Sequence, residues 1–340
     1  MLRVADLRNK VVFITGGSRG LGYALAEEFA KHGAHVAICA RDERELATTR
    51  QRFPESGSDV VTIQCDVSKR EQAERAVADI TARFGRIDIL VNSAGIIAVG
   101  PVQAQAVEDF EEVMAINFWG ALYTTLAVLP QMERRHDGRI VNITSIGGKV
   151  SVPHLLPYSS AKFAFVGFSE GLRAELAKAG VTVVTIVPGL MRTGSSINAL
   201  VKGSHRAEFA WFSLLDSLPL ASISVRRAVR QIMRATLRGD AERVLSPQAR
   251  ILALAHGVAP GFTADLMGLV NRLLPGAGGD EGGIRRTGRE SQSPISRSFL
   301  TVLSQRAAER YNQNVADWSR EGGGLPSEET SSTTEIISSV

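Results

Sequence analysis

Two hydrophobic periods alternate along the first 190 residues of the chain. The runs Val11-Val12-Phe13-Ile14-Thr15, His35 to Ala40, Val60 to Gln64 and Ile87 to Val91 are short, β-branched and mostly apolar, the pattern of strands covered on both faces. Two more follow at Arg139 to Thr144 and Val181 to Val187. Between them, apolar positions recur at helical spacing over Leu21 to His32, Ser68 to Phe84 and Ser159 to Ala179, and Gly33 stands where a left-handed cap closes the first helix. Strands alternating with helices imply right-handed crossovers. The expected fold is therefore α/β, a doubly wound parallel sheet of about seven strands with helices on both faces.

The pattern changes after Pro188-Gly189. Leu190 to Ser222 is irregular, yet Phe209, Trp211, Phe212, Leu214 and Leu215 make it too apolar for a solvated loop. Ser224 then opens a helix through Leu237, with Val225, Val229, Ile232, Met233 and Leu237 on one side and Arg227, Arg230, Arg234 and Arg238 on the other. Arg243-Val244-Leu245 suits a last strand. Ile251 to Leu274 is apolar but broken by His256, Pro260-Gly261, Asp265 and Arg272, which suggests two short amphipathic helices rather than a membrane span. Residues 276–340 read as a largely disordered tail, with a short helix around Phe299 to Tyr311 as the exception.

Composition narrows the classes. The 39 basic and 35 acidic residues nearly balance, which is weak support for a nucleic-acid partner, and none is expected. Cys39 and Cys65 both fall in strand-like runs, and two cysteines build no disulfide framework, as suits a reducing cytosol. Met1 to Lys10 lacks the apolar core of a signal peptide. A cytoplasmic location is expected.

Candidate chemistry begins where the first strand turns into the first helix, at Thr15-Gly16-Gly17-Ser18-Arg19-Gly20-Leu21-Gly22. A tight glycine turn there lets backbone N–H groups approach a pyrophosphate at the positive helix end, as in Rossmann-type sheets. Gly16 supplies an unusual dihedral, Gly20 leaves room for a cofactor, and Gly22 lets helix and strand pack closely. The second strand ends Cys39-Ala40-Arg41. Ala40 offers no carboxylate for a ribose 2′-hydroxyl, whereas Arg41, with Arg19 opposite, suits a 2′-phosphate. Asp42 lies too late in the chain for the ribose and is placed to cap the next helix. NADP(H) is thus favoured over NAD(H).

Tyr158-Ser159-Ser160-Ala161-Lys162 opens a helix and puts phenol and amine on one face. An ammonium group beside a phenol favours the phenolate, which would ready Tyr158 as general acid and base. With the glycine turn come Asp66 after the third strand, Asn92-Ser93-Ala94-Gly95 after the fourth and Asn117 in the next helix. Ser145 then precedes Tyr158 by thirteen residues, and Pro188-Gly189 and Thr193 follow the sixth strand. In this ordered set the first 250 or so residues resemble the short-chain dehydrogenase/reductase family. Ser93 departs from the pattern, which more often has a second Asn there.

The resemblance implies roles for these residues. Ser145 would polarise the substrate oxygen, Tyr158 would exchange a proton with it, and Lys162 would hold the nicotinamide ribose and lower the phenol's pKa. Asn117 would support a water that links Lys162 to solvent. Gly16, Ser18, Arg19, Gly20, Leu21, Gly22 and Arg41 would cradle the phosphates. Asp66 would meet the adenine, Asn92 the adenosine ribose, Ala94 and Gly95 the cofactor's flank, and Pro188, Gly189 and Thr193 the carboxamide end. No metal is implied. The cofactor would supply the hydride and the protein the geometry and proton transfer.

The implied organisation is a dinucleotide-binding catalytic domain over 1–250 with a substrate loop near 190–224. An apolar helical extension over 251–275 and the tail follow. The expected reaction interconverts a ketone or aldehyde and an alcohol. The aromatics after Thr193, with Leu155 and Leu156, favour a lipid-like or steroid-like substrate, though they could instead pack the loop onto its own core. A 3-oxoacyl thioester reductase, with acidic carriers on the arginine face, and a non-catalytic NADP(H) sensor are the rival readings. The extension could cap the pocket, cover a second subunit or dip into a membrane surface. The helix from Ser159 carries Phe163, Phe165, Val166, Phe168, Leu172 and Leu176 on several sides, which suits a homodimer or homotetramer.

Overall fold

The computed structural model describes residues 7–53, 59–218, 222–294, 296 and 301–313. The first half runs β1 (Val11–Thr15), α1 (Gly20–Lys31), β2 (His35–Ala40), α2 (Glu43–Gln51), β3 (Val60–Gln64), α3 (Arg70–Phe84), β4 (Ile89–Asn92) and β5 (Ala98–Val99). Next come α4 (Val107–Met114), α5 (Gly120–Arg135), β6 (Gly138–Ile143), α6 (Leu156–Glu175), β7 (Val181–Val187), β8 (Leu190–Arg192) and β9 (Leu200–Val201). The remainder is α7 (His205–Ser217), β10 (Ser222–Ser224), α8 (Val225–Arg238), β11 (Glu242–Val244), α9 (Pro247–Val258), α10 (Pro260–Asn271), β12 (Arg286–Thr287) and α11 (Val302–Arg310).

Seven strands form one sheet in the order β3-β2-β1-β4-β6-β7-β11, and every pair is parallel. Val12 lies opposite Val36 on one side and Ile89 on the other. The period of two explains why both faces need cover. Val12 and Ile14 point into a core with Leu25, Phe29 and Ile232 under α1 and α8, while Val11 and Phe13 point into another with Ile80, Met132 and Leu172 under α3, α5 and α6. The chain runs outward in opposite directions from β1 and β4. That reversal opens a crevice at their carboxyl ends, where this architecture binds ligands.

Caps follow local chemistry. Asp42 accepts from the Glu45 N–H at 2.8 Å and starts α2, and Ser224 caps α8. Gly33 takes φ +86° just after α1. Cys39 and Cys65 are free and buried.

The stretch read as irregular, 190–222, holds β8, β9 and a thirteen-residue helix, α7. Its buried face mixes Phe209 and Phe212 with Glu208, Ser213 and Asp216, so the apolar positions alone carry no helical period. The extension is two helices as expected, divided at Ala259, with Pro260 in the first turn of the second. Read from sequence as a largely disordered tail with a short helix around Phe299 to Tyr311, the described part of 276–313 holds β12 and, in the place of that helix, α11. β12 pairs antiparallel with β9, Arg285 meets Asp109 at 2.9 Å and Glu112 at 2.7 Å, and Tyr311 joins the core under α1. These anchors are mainly polar and long-range, so composition did not disclose them. Residues 314–340 lie outside the described residues. The helical run Val107–Arg135 is long and apolar enough to cross a bilayer, but its segments pack against α3 and α6.

Candidate active site

The crevice is a cleft of about 490 Å³. It runs from the glycine turn and the end of β2, past the ends of β4 and β6, to the wall made by α7 and α9.

At one end the glycine turn is too tight for side chains. A Cβ on Gly22 would lie 2.2 Å from the Gly16 carbonyl, and one on Gly17 would strike Ile38 at 2.5 Å. Gly16 and Gly20 adopt φ of +65° and +60°. Thr15 accepts from the N–H groups of Ser93 and Ala94, both at 3.1 Å, and so ties the turn after β4 to the end of β1. Gly16, Ser18, Arg19, Gly20, Leu21, Gly22, Arg41, Asp66, Ala94 and Gly95 all line the cleft. Glu45, which sequence reasoning missed, is buried beneath this end, accepts from the Ser18 hydroxyl at 2.7 Å and lies 3.8 Å from Arg19. Burial lowers the Arg41 pKa and the nearby Arg19 adds to the effect, while Asp66, Glu112 and Glu45 raise it. This glycine-lined cradle beside Arg19 and Arg41 fits the phosphates of a dinucleotide.

Two expected cofactor contacts are altered. The Asn92 side chain is turned into the core: it donates to Thr125 (3.0 Å) and Asn142 (2.9 Å) and accepts from Thr124 (2.7 Å). From Asn142 the network continues through Ser169 to Thr185 and locks the sheet to α6. Asn92 is thus a structural residue, because a buried amide takes the partners nearest to it. The backbone N–H of Asp66 is bound to Gln72 at 2.8 Å, which leaves its carboxylate, already accepting from Ser68, as the group that would be available to an adenine.

In the middle, Ser145 follows β6 and caps the short turn Ile146–Gly148, and Tyr158 and Lys162 stand one turn apart on α6. A Cβ on Gly148 would lie 2.5 Å from the Lys162 carbonyl, so a glycine is what lets the serine loop seat on that helix. The Ser145 hydroxyl accepts from the Gly147 N–H at 3.1 Å and stands near enough to the Tyr158 phenol to favour its charged form. The Lys162 Nζ donates to the Ile143 carbonyl at 3.1 Å and lies 5.7 Å from the centroid of the Tyr158 ring. Asn117 sits in a π-helical turn, Ala115–Trp119, and its amide both accepts from and donates to the Ile96 backbone, at 2.8 and 2.9 Å.

Burial pulls the Lys162 pKa down to about 8. Burial also pushes the Tyr158 phenol up, and the nearby Ser145 hydroxyl only partly offsets that. The expected lowering of the phenol by the ammonium does not dominate. The amine lies against the ring face, and the same burial disfavours both charged forms.

At the far end, Pro188, Gly189 and Thr193 reach the cleft. The Thr193 hydroxyl donates to Ser195 and accepts from its N–H, so it stands fixed. Leu155, Trp211, Phe212 and Leu215 form an apolar wall joined by Leu252 of α9, while Phe209 and Leu156 lie outside it. Buried Glu208 accepts from Trp211 at 2.8 Å and bonds His154 at 2.8 Å, fastening α7 to the loop before Tyr158. Asp216 also lines this wall. Its Oδ2 is buried without a partner among the described residues, and burial raises its pKa to about 7. Neither acid carried a sequence signal beyond its place among aromatics.

Comparison with known proteins gives the arrangement a context. The chain is 35% identical over 248 residues to the "Dehydrogenase/reductase SDR family protein 7-like" of Anopheles gambiae, covering 72% of this chain and 77% of that one. It is 36% identical over 238 residues to the 11-beta-hydroxysteroid dehydrogenase A of Sesamum indicum, covering 69% and 68%. A solved short-chain dehydrogenase from Streptomyces avermitilis superposes with a TM-score of 0.66 at 29% identity, over 80% of this chain and 99% of that one. Residues 10–201 match the short chain dehydrogenase family, and the chain belongs to that family of oxidoreductases.

Proposed function

We propose that this enzyme reduces apolar ketones or aldehydes to alcohols and prefers NADPH. The observation that carries the reading is the buried Ser145–Tyr158–Lys162 cluster in a cleft with phosphate-sized glycine geometry at one end and an aromatic wall at the other.

When bound, the nicotinamide supplies the hydride. Ser145 donates to the carbonyl oxygen and holds it beside the Tyr158 phenol. Burial raises the Tyr158 phenol above its ordinary value, so its proton is in place to pass to that oxygen in reduction. Lys162, charged below about 8, stabilises the phenolate that results. The Asn117 side chain is committed to Ile96, so any hold on a proton-carrying water falls to its backbone. Arg41 and Arg19 support NADP(H), since no acid replaces Ala40 and Asp42 is spent on its cap.

The apolar wall supports a steroid-like or lipid-like substrate, in keeping with the name of the Sesamum relative. A panel of carbonyls, assayed by loss of reduced-nicotinamide absorbance with NADPH and NADH, tests this. Bulky apolar ketones should give the highest kcat/KM. A preference for small hydrophilic ketones would end the lipid reading. A preference for 3-oxoacyl thioesters would move it toward the Streptomyces coelicolor relative, a putative ketoacyl reductase.

Two exposed apolar faces support further contacts. On α9–α10, Ile251, Val258 and Phe262 are 68%, 86% and 68% exposed, close to Leu252 at the cleft, which suits a bilayer surface. On α5 and α6 and the turn before them, Trp119, Leu126 and Phe163 are exposed, which suits a second copy of the chain. Phe262→Asp should abolish pelleting with phospholipid vesicles and leave the light-scattering mass unchanged, and Phe163→Asp should do the reverse. Wild-type protein that stays in the supernatant removes the bilayer contact, and a monomeric mass removes the dimer.

A further inference from the structure

The extension beyond the family match returns to the dinucleotide end of the cleft. From α11 the chain reaches Tyr311, whose carbonyl accepts from the Gly20 N–H at 2.7 Å. Buried Asn312 donates to the Ser18 carbonyl and to Thr49, both at 2.9 Å, and so grips the glycine turn and α2 together. Gln313 then lies across the cleft. Its Oε1 accepts from Asn198 at 2.7 Å, in the turn that follows Thr193, and its Nε2 stands 2.5 Å from where a Cβ on Gly20 would be. Gln313 is 3% exposed, yet it lines the same cleft as Gly16, Arg41 and Tyr158. Behind it, Ala308 packs where Gly194 has no side chain, and the Ser217 hydroxyl donates to Ser304 at 2.9 Å. One short segment thereby ties the glycine turn, the turn after Thr193 and the end of α7.

We propose that residues 311–313 complete the dinucleotide site, with Gln313 donating its amide N–H to the cofactor's pyrophosphate. The inference rests on the reading that a dinucleotide binds in this cleft. Asn198 occupies the amide oxygen, so the end left facing the glycine turn is the donor, the polarity an anion requires. With the Gly20 N–H taken by the Tyr311 carbonyl, the N–H groups that follow it in the first turn of α1 would meet the pyrophosphate from one side, and Gln313 would close on it from the other. Asn312 and Tyr311 act as positioning residues. They fix the backbone of both Gln313 and the turn, which spares the entropy of ordering a mobile strap when the cofactor enters.

Gly20 gains a second role. The residue seen from sequence as making room for a cofactor also makes room for Gln313. Any side chain at position 20 would expel both.

The test is binding of NADPH, NADH and adenosine 2′-phosphate to the full chain, measured by calorimetry, for wild type, Gln313→Glu and Gln313→Met. Losing a hydrogen bond to a charged group raises Kd on the order of tenfold. Gln313→Met should therefore weaken NADPH and NADH alike by about that factor. Gln313→Glu, which sets a carboxylate against the pyrophosphate, should weaken both further. Adenosine 2′-phosphate lacks the pyrophosphate and should bind all three proteins equally. Dinucleotide affinities within about twofold of wild type in both variants would overturn the proposal. Parallel loss of adenosine 2′-phosphate would overturn it too, since the site would then have collapsed as a whole. Should Gln313→Glu not fold, the methionine variant decides alone. Wild type binding neither dinucleotide would fail the underlying reading instead, a result distinct from any of these.

Discussion

Tyr158→Phe should lower kcat for carbonyl reduction by about a thousandfold or more while leaving Kd for NADPH within about twofold. The substitution keeps the ring, which packs against Ala98, Val113 and Ala161 on one side and beside Leu155 and Phe212 on the other. It removes only the hydroxyl that stands near Ser145. Folding and the glycine cradle, which lies at the other end of the cleft, are left intact. On the proposed mechanism the lost group is the proton donor itself. The intact enzyme should show the complementary pH signature. kcat/KM reports the free enzyme, so for reduction it should fall as pH rises through about 8, where Lys162 gives up its charge and no longer stabilises the phenolate. Steady-state kinetics and a fluorescence titration of NADPH check both halves. A Phe variant with wild-type kcat on a substrate the enzyme turns over would remove Tyr158 from the chemistry.

The parts of this molecule that repeat a local rule were legible in its sequence. β1, β2, β3 and β7 begin and end where their β-branched runs do; β1, β2 and β7, covered on both faces, write most of their length in apolar residues, while β3 at the sheet edge is only partly buried. Ser145, Tyr158 and Lys162 meet because a helix sets residues four apart on one face and the serine loop seats against it. What escaped depends on partners distant in the chain. Asn92 looks like a cofactor ligand until Thr124, Thr125 and Asn142 claim its amide. α7 hides its period because Glu208 and Asp216 are buried with its aromatics. A short helix around Phe299 to Tyr311 is legible in the sequence, but the backbone and amide bonds that anchor residues 311–313 to Ser18, Gly20 and Asn198 carry no local signal.

Arg41→Asp should reverse the cofactor preference, raising Kd for NADPH about a hundredfold or more while changing that for NADH only slightly or improving it. On the proposed NADP(H) reading the cleft holds two candidate cations for a 2′-phosphate, and they stand in different surroundings. Arg19 lies 3.8 Å from the buried carboxylate of Glu45, which also takes the Ser18 hydroxyl, so part of its charge is already answered inside the fold. Arg41 stands at the end of β2, where burial disfavours its charge and the carboxylates of Asp66, Glu112 and Glu45 offset that only in part, so an arriving dianion would add to their support. Exchanging that cation for a carboxylate removes the favourable pair and sets like charges together, each worth more than it would be in open water. The same carboxylate is the group that accepts hydrogen bonds from an unphosphorylated ribose, so NADH loses nothing. Asp42 cannot substitute for it, because its carboxylate is held by the Glu45 N–H at the start of α2. Calorimetric titration of the variant with each coenzyme gives the two constants directly, and equal weakening of both would show that Arg41 supports the fold of this end of the cleft rather than reading the phosphate.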